Sequence, residues 1–308
     1  MKKIFLLIGF LLIGISVIHA QVQFRHEFSF HAGGGLSSLA YSSDLGSQSN
    51  GFGGKAGADY TLFLSPFFGV TVGVDAALYN SSFSGSYQFR YLIPSPPGFP
   101  GNFYLDADFK EYDESQQAVF LQIPLMIQFQ TRRYGYWRIY GAIGGRIGIP
   151  LSASWKTTGR VVTTGYSDYT GNIYDENDNE AFGNLPINAS GDLELNMALI
   201  GSIELGIKWP LTYTSNLYTG FYLDYAFNNV RKNAADKELI IYNPDNPSQY
   251  QYNSAIQSKY IDKEMIEKIT PIAAGLKITL SFGAGEELKS PLLYEEKKPN
   301  KKRRFRRR

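Results

Sequence analysis

The sequence predicts an all-β fold, an eight-stranded antiparallel up-and-down transmembrane β-barrel, and three observations carry that expectation. Eight segments alternate apolar and polar residues with period two. The links between them alternate in length, long then short. The 308-residue chain also opens on an export-type leader, holds no Cys, and is rich in Gly (31), Tyr (22) and Phe (21).

The leader comes first in the chain. Lys2 and Lys3 form a positive n-region, Ile4 to Ile18 an apolar run broken by Gly9, Gly14 and Ser16, and Ala20 precedes Gln21 at a cleavage point. That run is shorter than the roughly 20 apolar residues a helix needs to cross a bilayer, and no stop-transfer charges follow it. Residues 1–20 are therefore expected to be a signal peptide, 21–282 the barrel and 283–308 a basic tail. The lack of Cys excludes a lipoprotein anchor, disulfide stapling and thiol chemistry. An exported chain without a second apolar run enters a membrane as closed strands, apolar at every second position.

The strands are read from that alternation. In Leu193–Trp209 the odd positions are mostly apolar, and the even ones include Glu194, Asn196, Ser202, Glu204 and Lys208. Seventeen residues exceed the usual strand of about 3–10 in a soluble sandwich. Trp137–Ile149 and Leu217–Phe227 read alike, as do Val119–Phe129 and Ile272–Phe282. Phe68–Leu78, Phe52–Leu64 and, more weakly, Phe24–Leu36 complete an even set of eight. The links near 37–51, 80–112, 154–191 and 229–264 are long and polar. Those at Ser65–Pro66, Thr131–Tyr136 and Pro210–Asn216 are short. Short periplasmic turns and long extracellular loops are the rule for such barrels, which puts both termini in the periplasm.

The segments Leu121–Gln122–Ile123–Pro124–Leu125 and Tyr140–Gly141–Ala142–Ile143–Gly144–Gly145, with the closing strand, resemble the outer-membrane β-barrel proteins of Bacteroidetes, including the PorT-like group. OmpX- and OmpA-type barrels are architectural cousins, and the resemblance covers 22–282. It implies an outer-membrane location in a Gram-negative bacterium and insertion by the barrel-assembly machinery, whose signal the closing strand matches at Gly275, Ile278, Leu280 and Phe282. Ala273 replaces the usual polar residue, and the chain continues past Phe282. The PorT likeness also implies an accessory role in type IX protein secretion.

Taking the non-apolar strand faces as the lumen gives basic Arg25, Lys55, Arg138, Arg146, Lys208 and Lys277. It gives acidic Glu27, Asp59, Asp75, Glu194, Glu204 and Asp224. Eight strands leave room only for side chains inside, and charges packed there must pair. A plugged, salt-bridged interior is expected, because an ion pore would show an excess of one sign. A narrow charged pore or small transport barrel is the alternative.

Chemistry is scarce. His26 and His31 are the histidines beyond the leader. His31 shares a face with Ser29 and Glu27, but at spacing two Ser29 lies between the other two, the wrong order for nucleophile, base and orienter. Two His and no Cys do not make a typical zinc site. From Asp175, Glu180 and Pro186 fall where a calcium loop needs Gly and Glu. No enzyme activity, metal or cofactor is expected. Pro94–Pro100 is stiff and extended; with Tyr242, Tyr250 and Tyr252 it offers either outward contact groups or a cover for the barrel mouth.

The tail holds ten Lys and Arg against four Glu. Its end, Lys297, Lys298, Lys301, Lys302, Arg303, Arg304, Arg306, Arg307 and Arg308, carries no acid and favours a polyanion. Nucleic acid is not a periplasmic partner, which leaves peptidoglycan carboxylates, anionic outer-membrane lipid or an acidic periplasmic protein. The function expected is that of a structural or interaction protein of the envelope.

Overall fold

A computed structural model describes residues 25–43, 46–94, 101–132, 136–175, 182–232, 238–243, 249–260 and 263–283. The leader, the basic tail, 95–100 of the proline-rich link and 176–180 of the acidic stretch lie outside the described residues.

Eight long strands form one closed antiparallel ring: β1 (Arg25–Ala40), β2 (Phe52–Ser65), β3 (Phe68–Ile93), β4 (Phe103–Gln130), β5 (Arg138–Ser167), β6 (Ala198–Pro210), β7 (Ser215–Ala226) and β8 (Thr270–Gly283). Each pairs with its neighbours in chain order. The seam closes where β1 meets β8, from Glu27↔Gly283 to Ala40↔Thr270. The eight-stranded barrel expected from the alternation is the fold observed.

Strand lengths are the main correction. β3, β4 and β5 run 26, 28 and 30 residues, against the eleven to thirteen read from apolar alternation. Much of the links near 80–112 and 154–191 is sheet. The reason lies in the side chains of β3, whose odd positions face inward throughout. Between Phe68 and Leu78 the outward residues are Val70, Val72, Val74 and Ala76, and the inward ones include Thr71 and Asp75. Beyond Leu78 the outward residues are polar up to Arg90, namely Asn80, Ser82, Ser84, Gln88 and Arg90, and the inward ones include Phe83, Tyr87, Phe89, Tyr91 and Ile93. The apolar face changes side while the strand continues.

The same switch falls just before Val119 on β4 and just after Leu151 on β5. Leu78 pairs with Val119 and Val119 with Ser152, so the three lie at one level. Below it, Ile123, Leu125, Ile127, Ile143, Ile147, Leu199, Ile203, Leu205, Phe221, Leu223, Leu276 and Ile278 stand exposed around the ring. Each strand contributes roughly the 9–11 residues of a tilted membrane crossing. A closed ring leaves no backbone group unpaired in lipid, which makes this belt the transmembrane part.

Above the belt the ring opens into a curved extension. Gly46–Asn50 adds to one edge by pairing with β3, and Gly183–Asp192 to the other by pairing with the upper half of β5. The seventeen-residue strand expected at Leu193–Trp209 is thus two pieces: β6 begins at Ala198, and 193–197 form the step between it and Gly183–Asp192. A bulge at Lys110–Asp113, with Glu111 at φ 49°, shifts the inward parity of β4 from odd to even. It bends the sheet there. Opposite it, a side chain at Gly159 would clash with the Glu111 carbonyl at 2.4 Å. The described parts of the last link fold into the hollow, where Val230, Leu239, Ile240, Ala255, Ile256, Ile266 and Ile269 are buried.

Candidate functional site

The barrel interior is the candidate site, and the strands position it layer by layer. Nearest the short turns, Glu27 of β1 accepts from Lys208 Nζ at 2.7 Å, Tyr218 Oη at 2.5 Å and Ser281 Oγ at 3.2 Å. Arg25 lies 3.2 Å from Glu27 and 4.4 Å over the ring of Phe63.

The next layer is one connected ion cluster. Arg146 of β5 reaches Asp75 of β3 and, at 2.9 Å, Glu204 of β6; its Nε stands 3.6 Å from Asp224 of β7. Lys277 of β8 meets Glu204 at 2.9 Å and Asp59 at 3.8 Å. Lys55 of β2 meets Asp224 at 2.9 Å and sits 3.8 Å over the ring of Tyr222. Ser202 adds hydrogen bonds to Arg146 and Asp224. His31 of β1 stands between two carboxylates, Nδ1 2.8 Å from Asp59 and Nε2 3.0 Å from Asp75. Both are close N···O approaches without straight hydrogen-bond geometry. A polar cavity of about 40 Å³ adjoins the layer, bounded by Glu27, Thr71, Gln128, Arg146, Glu204 and Lys277 among others. That volume suits a water or two.

Ten of the twelve expected lumen charges are therefore brought together or lie at the rim of this set. Glu27, Lys55, Asp59, Asp75, Arg146, Glu204, Lys208, Asp224 and Lys277 are buried, and Arg25 is half-buried at the edge. Arg138 shares their inward parity but stands half-buried at the short-turn end, opposite Lys208. Glu194 is the correction. It lies in the step before β6, is exposed, and pairs with exposed Lys232 at 2.5 Å. The expected six-against-six balance loses that member for a physical reason: the chain enters the ring only after it, at Ala198.

Ser29 donates to the backbone carbonyl of Asp59, at 3.4 Å, and Glu27 is engaged elsewhere. No nucleophile, base and acid chain forms on β1. His26 faces outward with its Nδ1 2.5 Å from Tyr60 Oη. His31, Asp59 and Asp75 bring three ligand-type atoms within 4.8 Å of one another. Asp75 also meets Arg146 and Asp59 also faces Lys277, so the trio belongs to the ion cluster.

Two apolar layers lie above the charges. Leu39, Tyr79, Phe120, Trp155, Ile200, Val230, Ile256, Ile266 and Ile269 form the first. Phe83, Tyr87, Phe89, Tyr91, Leu105, Phe109, Tyr112, Leu239 and Ile240 form the second. Between them sits Glu114, a buried carboxylate that sequence reading missed. It accepts from Tyr112 Oη at 2.6 Å, Gln116 Nε2 at 2.9 Å, Ser254 Oγ at 2.5 Å and the Ala255 backbone N–H at 2.8 Å. Ser254 caps the short 3₁₀ turn Ala255–Gln257, so Glu114 ties the last link to β4. Its signal was the run Tyr112, Glu114, Gln116, polar atoms at spacing two on one face. Burial, then the neighbouring Glu114 charge, pushes the Tyr112 phenol well above its usual range, keeping it a donor.

Tyr242 is buried against the upper layer, and Tyr250 and Tyr252 pack on it half-buried. Of the two readings of these tyrosines, the cover over the mouth is the one observed.

No protein-family model matches the chain, and no curated protein matches it. Among solved structures it is similar to the Neisserial surface protein A, with 8% identity, 84% of this chain and 95% of that one covered, and a TM-score of 0.31. It is similar to the outer membrane protein OprG of Pseudomonas aeruginosa, at 12%, 85%, 96% and 0.34 in the same order. For Ail, the attachment invasion locus protein of Yersinia pestis, the values are 11%, 83%, 99% and 0.27. Overlaps this small bear no argument, and the barrel rests on its own strand pairing.

Proposed function

We propose that the chain is a non-enzymatic outer-membrane barrel of the cell envelope, closed to ions, that acts as a structural or interaction protein. Both termini then lie in the periplasm and the extension stands outside the cell. The apolar belt, the closed ring and the export-type leader support the location. The observation that carries the closed state is the stacking of the interior: paired charges, then two apolar layers into which the last link folds. An ion crossing this path would have to break buried pairs and then enter hydrocarbon-like packing.

Contact surfaces are then expected at the two ends. On the extension, Leu92 pairs with Tyr104, Tyr104 with Tyr166 and Tyr166 with Ile173, an outward row well above the belt. Arg90 stands 5.9 Å and 5.2 Å from the two tyrosine rings and is held by Asp106. Exposed apolar rows outside lipid mark recognition surfaces, and Tyr and Arg are frequent anchors. The basic tail supplies a periplasmic contact with peptidoglycan or an acidic protein.

The test is conductance of the purified protein in a planar bilayer. No steady current above the bare membrane is expected over the usual voltage range. Stable unitary currents that persist in the intact protein would overturn the closed reading and favour a transport barrel.

A further inference from the structure

We infer that His31 is an imidazolium in the folded barrel, a fourth cation built into the central ion cluster, so that one bound proton is part of the fold. This rests on the ion-paired interior described above and goes beyond the closed-lumen reading.

Through their ion pairs, Asp59, Asp75, Glu204 and Asp224 connect to Lys55, Arg146 and Lys277. That is four acids against three bases, leaving one negative charge over. Glu27, Lys208 and Arg25 form a neighbouring group nearer the short turns, paired with one another. The side chain that touches two of the four carboxylates is His31, and its own surface is fully buried. An uncompensated charge in such a place costs several kcal/mol, and a proton on His31 removes it.

A neutral imidazole has one N–H and one bare nitrogen. Whichever tautomer formed, a bare nitrogen would stand within 3.0 Å of a carboxylate oxygen. Two electron-rich atoms at that separation repel. With both nitrogens protonated, each contact becomes an attraction between unlike charges. The alternative of protonating Asp59 or Asp75 instead would remove a partner from Lys277 or from Arg146. Every strand around the cluster is accounted for: β1 gives His31, β2 Lys55 and Asp59, β3 Asp75, β5 Arg146, β6 Glu204, β7 Asp224 and β8 Lys277. β4 faces it with uncharged Gln122, which donates to Tyr79 Oη.

The test is a charge-compensation cycle on the full chain, folded in detergent micelles and unfolded in urea. Asp59→Asn and His31→Gln should each lower the folding equilibrium constant by about tenfold or more, and combining them should restore much of the loss, because neutrality returns. If His31 were neutral, wild type would carry the surplus negative charge. Asp59→Asn would then match or exceed wild type, and the double variant would gain nothing; that result overturns the inference. Should His31→Gln fail to fold, ¹⁵N NMR of histidine-labelled wild type at about pH 7 decides. Protonated-type shifts at both His31 ring nitrogens are expected, and a lone-pair-type shift at either one sinks the idea. Conductance plays no part in either readout, so failure here is distinguishable from failure of the closed-lumen proposal.

Discussion

The belt and the extension are made from the same three strands and are inside out relative to each other. In the belt, β3 to β5 turn Val, Leu and Ile outward and enclose Asp75, Gln122 and Arg146. In the extension they turn Asn80, Gln117 and Lys156 outward and enclose Phe83, Phe109 and Val161. The hydrophobic effect explains the extension directly, since apolar surface leaves water for a packed core. It does not hold the belt together, because lipid solvates the outer face as well as a core would. There the ring is held by backbone pairing and by charges that have no better partner than one another. One backbone thus alternates between two solvents, and the pattern of side chains shows where the boundary lies.

That contrast is open to attack at both ends. The largest effects are expected from Arg146→Ala and Phe109→Ala, but in different places. Removing Arg146 leaves Asp75 and Glu204 short of a buried partner and should cost about 3–5 kcal/mol, read as a lower urea midpoint for the whole barrel. Removing the Phe109 ring should cost a similar 3–5 kcal/mol, yet appear as faster hydrogen exchange confined to the extension. Equal loss of protection in both regions after Phe109→Ala would show that the two are one cooperative unit.

A smaller effect separates the outer faces. Val72 and Ser82 both point outward on β3. An Arg at Val72 meets hydrocarbon and should cost about 2–4 kcal/mol, whereas an Arg at Ser82 meets water and should change stability by no more than about 0.5 kcal/mol. Urea unfolding of the two variants in lipid vesicles measures this; comparable losses would misplace the boundary at Leu78.

The smallest effect at neutral pH becomes large in alkali. Burial first, with Glu114 nearby, holds the Tyr41, Tyr87 and Tyr112 phenols above their usual value, and burial pushes Tyr252 to about 12. Because the folded values exceed those of the unfolded chain, this contribution is complete below about pH 10 and is lost as pH rises through the folded values. The part of the tyrosinate absorbance contributed by these buried phenols should therefore rise only above about pH 10 and together with loosening of the extension, while the belt, followed by exchange of its backbone amides, stays closed. Ionisation of Tyr41, Tyr87 and Tyr112 near pH 10 with the extension intact, seen as loss of absorbance change on Tyr→Phe replacement at these positions, would contradict the packing.

Alternation in the sequence reported lipid contact, and for that reason it found the number of strands and missed their lengths. The readings Phe68–Leu78 and Val119–Phe129 end where the outward face turns polar, although the backbone pairing does not end there. Beyond that point aromatic and polar residues still alternate, but with opposite sense, and long polar links looked like the natural explanation. The lumen charges were legible because period two assigns a face without any knowledge of partners. Glu194 misled because the alternation runs unbroken through the step at 193–197. Glu114 and Ser254 were invisible as a pair, since 140 positions separate them and only folding of the last link brings them together.

The level at which Leu78, Val119 and Leu151 end the belt also fixes how deep the molecule can be immersed. Sinking by one residue pair, roughly 7 Å of strand, would draw Asn80, Gln117 and Ser154 into acyl chains, where each unpaired polar group costs a few kcal/mol. Rising by as much would strip lipid from the opposite rim. The surrounding bilayer must therefore thin or thicken to suit the barrel, and the tower above it is carried at a constant height.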